Sequence, residues 1–176
     1  TQTKRLAQLT NSLILLSRME EQPRTEKIEF PISDLVEETV ETFQALAKTR
    51  NKNLSANIQP MLSMSGDEKA VRQLITILLD NAIKYANDGG RIEITLKKQK
   101  NIIYLSAFNT VESISKENIM HLFDRFYRVD QSRNSQTGGY GLGLSIASAI
   151  VNAHKGKITA STEDEKSLLI TAAFPV

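Results

Sequence analysis

Cysteine is absent from this chain of 176 residues, which excludes a disulfide framework and a thiolate metal site. The absence agrees with a reducing compartment. The formal net charge is only +2, and no dense block of lysine and arginine is present, so the composition gives no reason to expect a nucleic-acid partner. The longest apolar runs fall well short of the ~20 residues of a membrane-spanning helix, so we expect neither a span nor a signal peptide here.

The chain does contain enough apolar sequence for one ordinary domain with its own core. Its residues are 40% hydrophobic and 24% charged, and no tract is of low complexity. The sequence begins without methionine and inside a heptad pattern. We therefore expect it to be a piece of a longer protein.

The first 22 residues have the pattern of an amphipathic helix that ends before Pro23. Its apolar seam consists of Leu6, Leu9, Leu13, Leu16 and Met19, and its other face carries Asn11, Ser12, Ser17 and Arg18. One such helix cannot bury its seam alone, so it either docks on the rest of the chain or pairs with other helices. The heptad spacing favours pairing.

The remaining sequence predicts an α+β domain. The expected order is a strand at 27–30, a helix from a cap at Ser33 or Asp34 to about Arg50, short strands at 53–58 and 61–65, an apolar helix at 68–86 capped by Asp67, strands at 91–96 and 101–108, a long segment at 109–143, a helix that ends near Gly156, and strands at 156–161 and 167–176. On the first of these helices, the inner face comprises Leu35, Val36, Val40, Phe43, Leu46 and Ala47. This order suggests a mixed sheet with helices packed on one face.

Four of the eight glycines lie in the stretch GGYGLGLS, at residues 138–145. The stretch is not a dinucleotide fingerprint, which would need glycine at Leu144, and it lacks the lysine of a P-loop. It does place several backbone N–H groups, without Cβ obstruction, at the start of a helix whose dipole favours an anion. The glycines alone leave two alternatives open, a phosphate site or a flexible hinge.

Two other segments carry polar groups suited to a nucleotide site. Asn81, Lys84 and Tyr85 share one face of the 68–86 helix, where the carboxamide suits Mg²⁺ and the ammonium suits phosphate. The alternative is a solvated helix end. The stretch SKENIMHLFDRFYRV (115–129) predicts an amphipathic helix. Within FDRFYRVDQSR (123–133), we expect Phe123 and Phe126 to anchor it in the core, whereas Tyr127 and Arg128 face a ligand.

These segments resemble the ATP-binding domain of bacterial sensor histidine kinases. LLDNAIKYAN resembles that family's asparagine box, LFDRFYRVDQSR its phenylalanine box, and GGYGLGLSIASAIVNAHKGKI its second glycine box, in the family's order and spacing. The resemblance covers residues 27–176, while residues 1–22 are similar to the second helix of the family's dimerisation and phosphoacceptor hairpin. It implies a partial hairpin helix at 1–22, a linker and first strand at 23–32, and a catalytic domain at 33–176 with a lid at about 110–143.

The resemblance also implies a two-layer α/β sandwich, shared with gyrase- and chaperone-type ATPases (the Bergerat fold), that binds ATP and Mg²⁺. By resemblance, the ATP-binding positions are Asn81, which would also bind Mg²⁺, Lys84, Tyr85, Asn109, Ile114, Tyr127, Arg128, Gly139, Gly141, Leu142, Gly143 and Leu144. The implied partners are a response regulator and, through the N-terminal helix of the full-length protein, a second copy of the chain. The family places such a domain in the cytoplasm, with the membrane reached only through other parts of the parent protein.

Three positions depart from the family's pattern. Ile77 stands where an asparagine is usual, the first glycine box reads Asn109 to Ile114 without its glycines and its aspartate, and Ser167–Ile170 replaces the usual Gly-Thr-x-Phe. Asn109 retains an acceptor oxygen for the adenine amino group but loses the charge. Each lost hydrogen bond is worth on the order of 1 kcal/mol, and more where a buried group is left unpaired. One or two losses would therefore weaken ATP binding roughly ten- to a hundredfold.

The two histidines, His121 and His154, both lie outside the hairpin helix that carries the family's phosphoacceptor. We expect both to be packing or surface residues, so this piece should donate phosphate to another chain rather than autophosphorylate. The sequence leaves open two alternatives to a histidine kinase. One is a degenerate, non-catalytic nucleotide-binding or scaffold member, suggested by Ile77 and the altered first glycine box. The other is an anti-sigma-type serine kinase of the same superfamily, which the N-terminal heptad disfavours.

Overall fold

A computed structural model describes residues 2–21, 27–129 and 140–176. The helices are α1 (Gln2–Glu21), α2 (Ile32–Thr49), α3 (Glu68–Tyr85), α4 (Lys116–His121) and α5 (Gly143–Ala153). The strands are β1 (Ile28–Phe30), β2 (Asn53–Ile58), β3 (Met64–Gly66), β4 (Arg91–Gln99), β5 (Ile102–Thr110), β6 (Lys157–Ser161) and β7 (Ser167–Pro175).

Five strands form one mixed sheet in the order β2-β4-β5-β7-β6. The β2–β4 pair is parallel, and the other three pairs are antiparallel. Along β5, Ile103, Leu105 and Ala107 are buried, whereas the residues that alternate with them are half-buried. A strand alternates its side chains between two faces, so the sheet buries one face and leaves the other toward solvent.

Helices α2, α3 and α5 cover the buried face. Asp67 caps α3 by accepting a hydrogen bond from the backbone N–H of Ala70 (3.1 Å), as the sequence predicts. The inner residues of α3, such as Leu74 and Leu78, pack in one continuous core with β4, β5 and β7. The small antiparallel pair β1–β3 lies outside the main sheet. The α+β fold with a mixed sheet covered by helices on one face is therefore confirmed.

The N-terminal helix docks on α5, so the predicted apolar seam divides into two stripes. Leu16 is buried in the core (3% exposed), with Leu9 and Met19 packed beside it. Leu6 is 61% exposed, and Leu13 is also exposed. Ser12, expected on the outer face, is half-buried. Pro23 lies outside the described residues.

Two details of α2 differ from the sequence prediction. The helix begins at Ile32, and its flanking residue Pro31 has no side-chain cap. Ser33, an expected cap, instead donates its hydroxyl to the carbonyl oxygen of Gln59 (2.6 Å) and accepts the backbone N–H of Leu62 (2.9 Å). Leu46, expected on the inner face, is exposed, because the docked stripe of α2 passes through Val40 and Ala47.

The segment after β5 also differs. The amphipathic helix expected around residues 115–129 is only the six-residue α4, and it ends at His121. Phe123 is half-buried against the core, as expected. Phe126 is not a core anchor: it is 57% exposed, and its φ of 63° lies in the left-handed region. That backbone turn breaks the helical face that would have buried it.

Candidate functional site

The start of α5 lies against the face of α3 that carries the predicted polar residues. A Cβ atom built on Gly143 would lie 3.6 Å from Cγ2 of Ile77. Asn81 is one helical turn farther along the same face of α3, since residues four apart are neighbours on a helix. Its side chain is half-buried and makes no hydrogen bond with any other residue that the structure describes.

The other two polar residues of this face lie closer to solvent. The Lys84 ammonium forms an ion pair with the carboxylate of Asp80, one turn earlier (2.8 Å). Tyr85, the last residue of α3, is 41% exposed. The structure therefore brings Asn81 near the start of α5 and leaves Lys84 and Tyr85 at the open end of α3. Among the described residues, the ion pair that Lys84 forms is with the surface carboxylate of Asp80, and such exposed pairs are weak.

Just before α5, the glycine-rich loop makes a close backbone contact with residues 126 and 127. Gly141 has φ 74°, and a Cβ atom there would lie 2.8 Å from the backbone carbon of Phe126 and 2.8 Å from the carbonyl oxygen of Tyr127. The backbone N–H of Phe126 also donates to the carbonyl oxygen of Gly141 (3.0 Å). Glycine is thus required at 141 for both conformation and space. Gly139 lies outside the described residues.

The first turn of α5 presents backbone donors without a competing carboxylate. Leu142 is buried and precedes the helix, and its carbonyl oxygen accepts from the N–H of Ile146 (3.0 Å) and from the Ser145 hydroxyl (3.0 Å). The first N–H groups of any helix, here those of Gly143 and Leu144, have no acceptor within the helix. No acidic residue occupies this turn. The helix start can therefore bind an anion.

Tyr127 is held by α4. Its hydroxyl accepts a hydrogen bond from the Asn118 amide (2.7 Å), and its ring lies against His121 with centroids 5.5 Å apart. Asn118 itself completes the capping box of α4 with Ser115. Arg128, the next residue, is half-buried. The predicted lid residues thus reach the glycine loop through their backbone at 126–127, while the Tyr127 side chain is engaged by α4.

Asn109 lies near the end of β5, and Ile114 follows that strand. Asn109 is 2% exposed, on the helix-covered face of the sheet, and its amide donates to the carbonyl oxygen of Thr110 (3.3 Å). Ile114 is buried, and its N–H donates to the carbonyl oxygen of Glu165 (2.8 Å). The N–H of Val111 likewise donates to Lys166 (2.9 Å). Without its glycines, the 111–114 segment is tied to the β6–β7 turn.

In that turn, the carboxylate of Asp164 accepts hydrogen bonds from the Ser167 hydroxyl (2.7 Å) and the Lys166 N–H (3.0 Å). These two bonds, the hydroxyl first, hold the pKa of Asp164 below its ordinary value. The turn is therefore ordered by a charge-assisted cap.

A cluster that the sequence prediction missed joins the end of α3 to β5. The Thr110 hydroxyl donates to the Asn87 side-chain oxygen (2.6 Å) and accepts the N–H of Arg91 (3.0 Å), and the N–H of Asn87 donates to the Thr110 carbonyl (3.2 Å). A Cβ atom on Gly90 would lie 2.5 Å from the Asn87 carbonyl oxygen. The only local signal in the sequence was the NDGG stretch, which indicates the end of a helix but does not indicate that Asn87 bonds to Thr110.

Within the described ranges, no three histidine or acidic side chains group to hold a metal ion. In those same ranges, no helix is both long and apolar enough to span a membrane.

Comparison with known proteins identifies the family. The family model described as histidine kinase-, DNA gyrase B-, and HSP90-like ATPase matches residues 66–176. The chain belongs to this ATPase family. The match begins at Gly66, just before α3, and includes the asparagine-bearing helix, the glycine loop and the last four strands of the main sheet.

Among the relatives of this ATPase domain, the sensor histidine kinase RppB of Synechocystis sp. is 35% identical over 177 residues, 99% of this chain and 39% of the relative. The histidine kinase AdeS of Acinetobacter baumannii has a similar structure, with a TM-score of 0.80 and 23% identity over 99% of this chain and 80% of that one. A histidine kinase ThkA solved in complex with the response regulator TrrA gives a TM-score of 0.75 and 22% identity, over 98% of this chain and 48% of that one. The two structures support the fold. The chain spans less than half the length of the curated relatives it matches.

Proposed function

We propose that this chain is the ATP-binding catalytic part of a two-component sensor histidine kinase. The observation that carries the proposal is the contact between Ile77 and Gly143, which brings the start of α5 against the face of α3 that bears Asn81. The helix start, which can bind an anion, then lies about one turn of α3 from a carboxamide oxygen. Membership of an ATPase family and the 35% identity with a sensor histidine kinase support the same function.

In this proposal, the phosphates of ATP bind the first N–H groups of α5, and the adenine is read at Asn109 and Ile114. Lys84 and Tyr85 lie beside the phosphates and ribose, and Tyr127 and Arg128 approach from the lid. Mg²⁺ fits the donor set: Asn81 offers one oxygen, and Mg²⁺ bound with nucleotides takes its other ligands from phosphates and water. When bound, the ion neutralises charge on the phosphates.

The reaction would transfer the γ-phosphoryl group to a histidine outside these residues. The bond between the γ-phosphorus and the bridging oxygen breaks, a phosphorus–nitrogen bond forms, and ADP leaves. His121 and His154 are poor acceptors. His121 bonds to the Asp124 carboxylate (2.8 Å), and both ring nitrogens of His154 are engaged by the backbone. The chain's own contribution would be positioning and electrostatics.

The whole protein would use this piece in a larger assembly. We infer a homodimer formed through α1 and its missing hairpin partner, and a response regulator as the final phosphate acceptor. The domain would lie in the cytoplasm, with membrane attachment in other parts of the parent protein. The ThkA–TrrA complex supports the response-regulator partner by fold likeness.

Calorimetric titration with Mg²⁺ and a nonhydrolysable ATP analogue tests the binding site. We expect Asn81→Ala to weaken binding at least about tenfold, because one ligand worth more than ~1.4 kcal/mol is lost. The matched control is Asn57→Ala, since Asn57 is exposed on β2. No binding at millimolar nucleotide would overturn the proposed function, and unchanged binding by Asn81→Ala would overturn the assignment of Asn81.

Phosphotransfer is tested by adding a chain that carries the complete hairpin and looking for acid-labile phosphohistidine. Its formation from ATP supports the kinase. Binding of ATP without phosphohistidine would identify a non-catalytic nucleotide-binding member instead. Ile77 gives this second outcome a structural basis, because an aliphatic side chain faces the start of α5 where the family usually has an asparagine.

A further inference from the structure

His154 directly follows α5, at the end of the helix remote from the glycine loop. Its Nδ1 lies 2.8 Å from the carbonyl oxygen of Ile150, and its Nε2 lies 3.0 Å from the backbone nitrogen of Asp67. A carbonyl oxygen only accepts and a backbone N–H only donates. Both bonds therefore require the neutral imidazole with its proton on Nδ1. One ring thus joins the end of α5 to the cap of α3.

The ring is confined on two further sides. A Cβ atom on Gly66 would lie 2.5 Å from Cδ2 and 2.6 Å from Nε2 of His154, and these are the nearest atoms it would meet. Phe174 of β7 packs against the ring edge, with centroids 5.9 Å apart. Gly66 has no positive φ. Its lack of a side chain therefore matters for the histidine ring rather than for the backbone.

The contact matters for the site because α3 and α5 run antiparallel. Asp67 and His154 meet where α3 begins and α5 ends, and Ile77, in the middle of α3, lies beside Gly143, where α5 begins. The intervening stretches of the two helices are each about 15 Å long at the usual helical rise. Helix α5 thus contacts α3 near both of its own ends, and Asn81 lies one turn of α3 beyond the second contact.

We propose that His154 is a positioning residue, which fixes where α5 lies along α3 and thereby holds the start of α5 at its distance from Asn81. The consequence for ATP rests on the proposed function. The bond to Asp67 and the confinement of the ring are features of the fold and do not depend on it. Loss of the ring would let α5 slide or rotate against α3, so that the backbone donors no longer face a phosphate beside Asn81.

A double-mutant cycle of His154→Ala and Gly66→Ala tests the contact without nucleotide. In the wild-type background, Gly66→Ala should destabilise the chain in urea unfolding, because the new methyl group meets the ring. In the His154→Ala background the same change should have almost no effect, since the ring atoms it would meet are gone. Equal losses in the two backgrounds would overturn the proposal. Nitrogen chemical shifts of the imidazole should report the Nδ1–H tautomer, and the other tautomer would also overturn it.

Nucleotide affinity separates positioning from general destabilisation. We expect His154→Ala to weaken Mg²⁺-ATP binding about tenfold, the cost of one misplaced phosphate contact, while adenosine affinity stays within about twofold. His154→Gln retains an oxygen that can accept from the Asp67 amide and should recover part of the loss, whereas His154→Leu should not. Equal weakening of ATP and adenosine would mean a structural role only and would overturn the positioning role.

The two proposals can fail separately. If the wild-type chain binds no ATP, the proposed function fails, while the unfolding cycle and the tautomer still decide the role of His154 in the helix pair. If ATP binds and the cycle shows no coupling, the proposed function stands and the positioning role is wrong.

Discussion

Gly141→Ala is expected to weaken ATP binding through a backbone contact rather than through any lost side chain. Gly141 has φ 74°, where an added Cβ costs about 1–2 kcal/mol. The Cβ would also lie 2.8 Å from two backbone atoms of residues 126 and 127, which cannot move away by changing a rotamer. The loop must therefore shift by about half an ångström to reach the ordinary contact distance of 3.4 Å.

Gly89→Ala is the matched control. Gly89 has a similar φ of 68°, but nothing lies within 4 Å of a Cβ built there. Both variants should lose about 1 kcal/mol or more of unfolding free energy in urea, because alanine is strained at positive φ. Only Gly141→Ala should also weaken Mg²⁺-ATP binding in calorimetry, by roughly five- to thirtyfold if 1–2 kcal/mol of displacement falls on the loop. Equal affinity in the two variants would refute the close approach of the loop to residues 126–127.

Three further outcomes are expected. Leu16→Ala should destabilise the chain by about 2–5 kcal/mol in urea unfolding, whereas Leu6→Ala should change it by less than about 0.5 kcal/mol; equal effects would contradict the docked stripe of α1. NMR titration should find the pKa of Asp164 below its ordinary 3.8, and Ser167→Ala should raise that pKa. Because the pKa is lower in the folded chain than in the unfolded chain, the carboxylate stabilises the turn at pH values above its ordinary pKa. This stabilisation is lost as the pH falls through the pKa of the folded chain. Ile77→Asn should strengthen ATP binding in calorimetry with Mg²⁺ but not in a chelator, and a gain in both would show that the new amide does not act through the metal.

The sequence predicted the parts of the fold that depend on neighbours along the chain. The cap at Asp67 bonds three residues ahead, and the alternation in β5 reflects a property of every strand, so both could be recognised locally. The family resemblance also named Asn81 on α3 and Gly143 at the start of α5, and the structure brings these two helices together. Their roles in binding ATP stay predictions.

What could not be predicted depends on distant partners. Ser33 looked like a helix cap, but its hydroxyl bonds to a carbonyl 26 residues away. Phe126 looked like a core anchor, but the close approach of Gly141 accompanies a left-handed turn that exposes its ring. His154 bonds to an amide 87 residues earlier. None of these partners leaves a periodic signal in the sequence around the residue itself.

The side of the sheet that faces solvent carries polar and aromatic side chains. Ser106 and Thr171 share a hydrogen bond across β5 and β7 (3.0 Å), and the guanidinium of Arg91 lies over the Phe108 ring at 4.9 Å. Each central strand therefore carries two alternating sets of positions, one packed against the helices and one on the opposite face. Substitutions at alternate residues of β5 should be tolerated in one set and rejected in the other. A mutational scan of a single strand would thus show which face of the sheet packs against the helices.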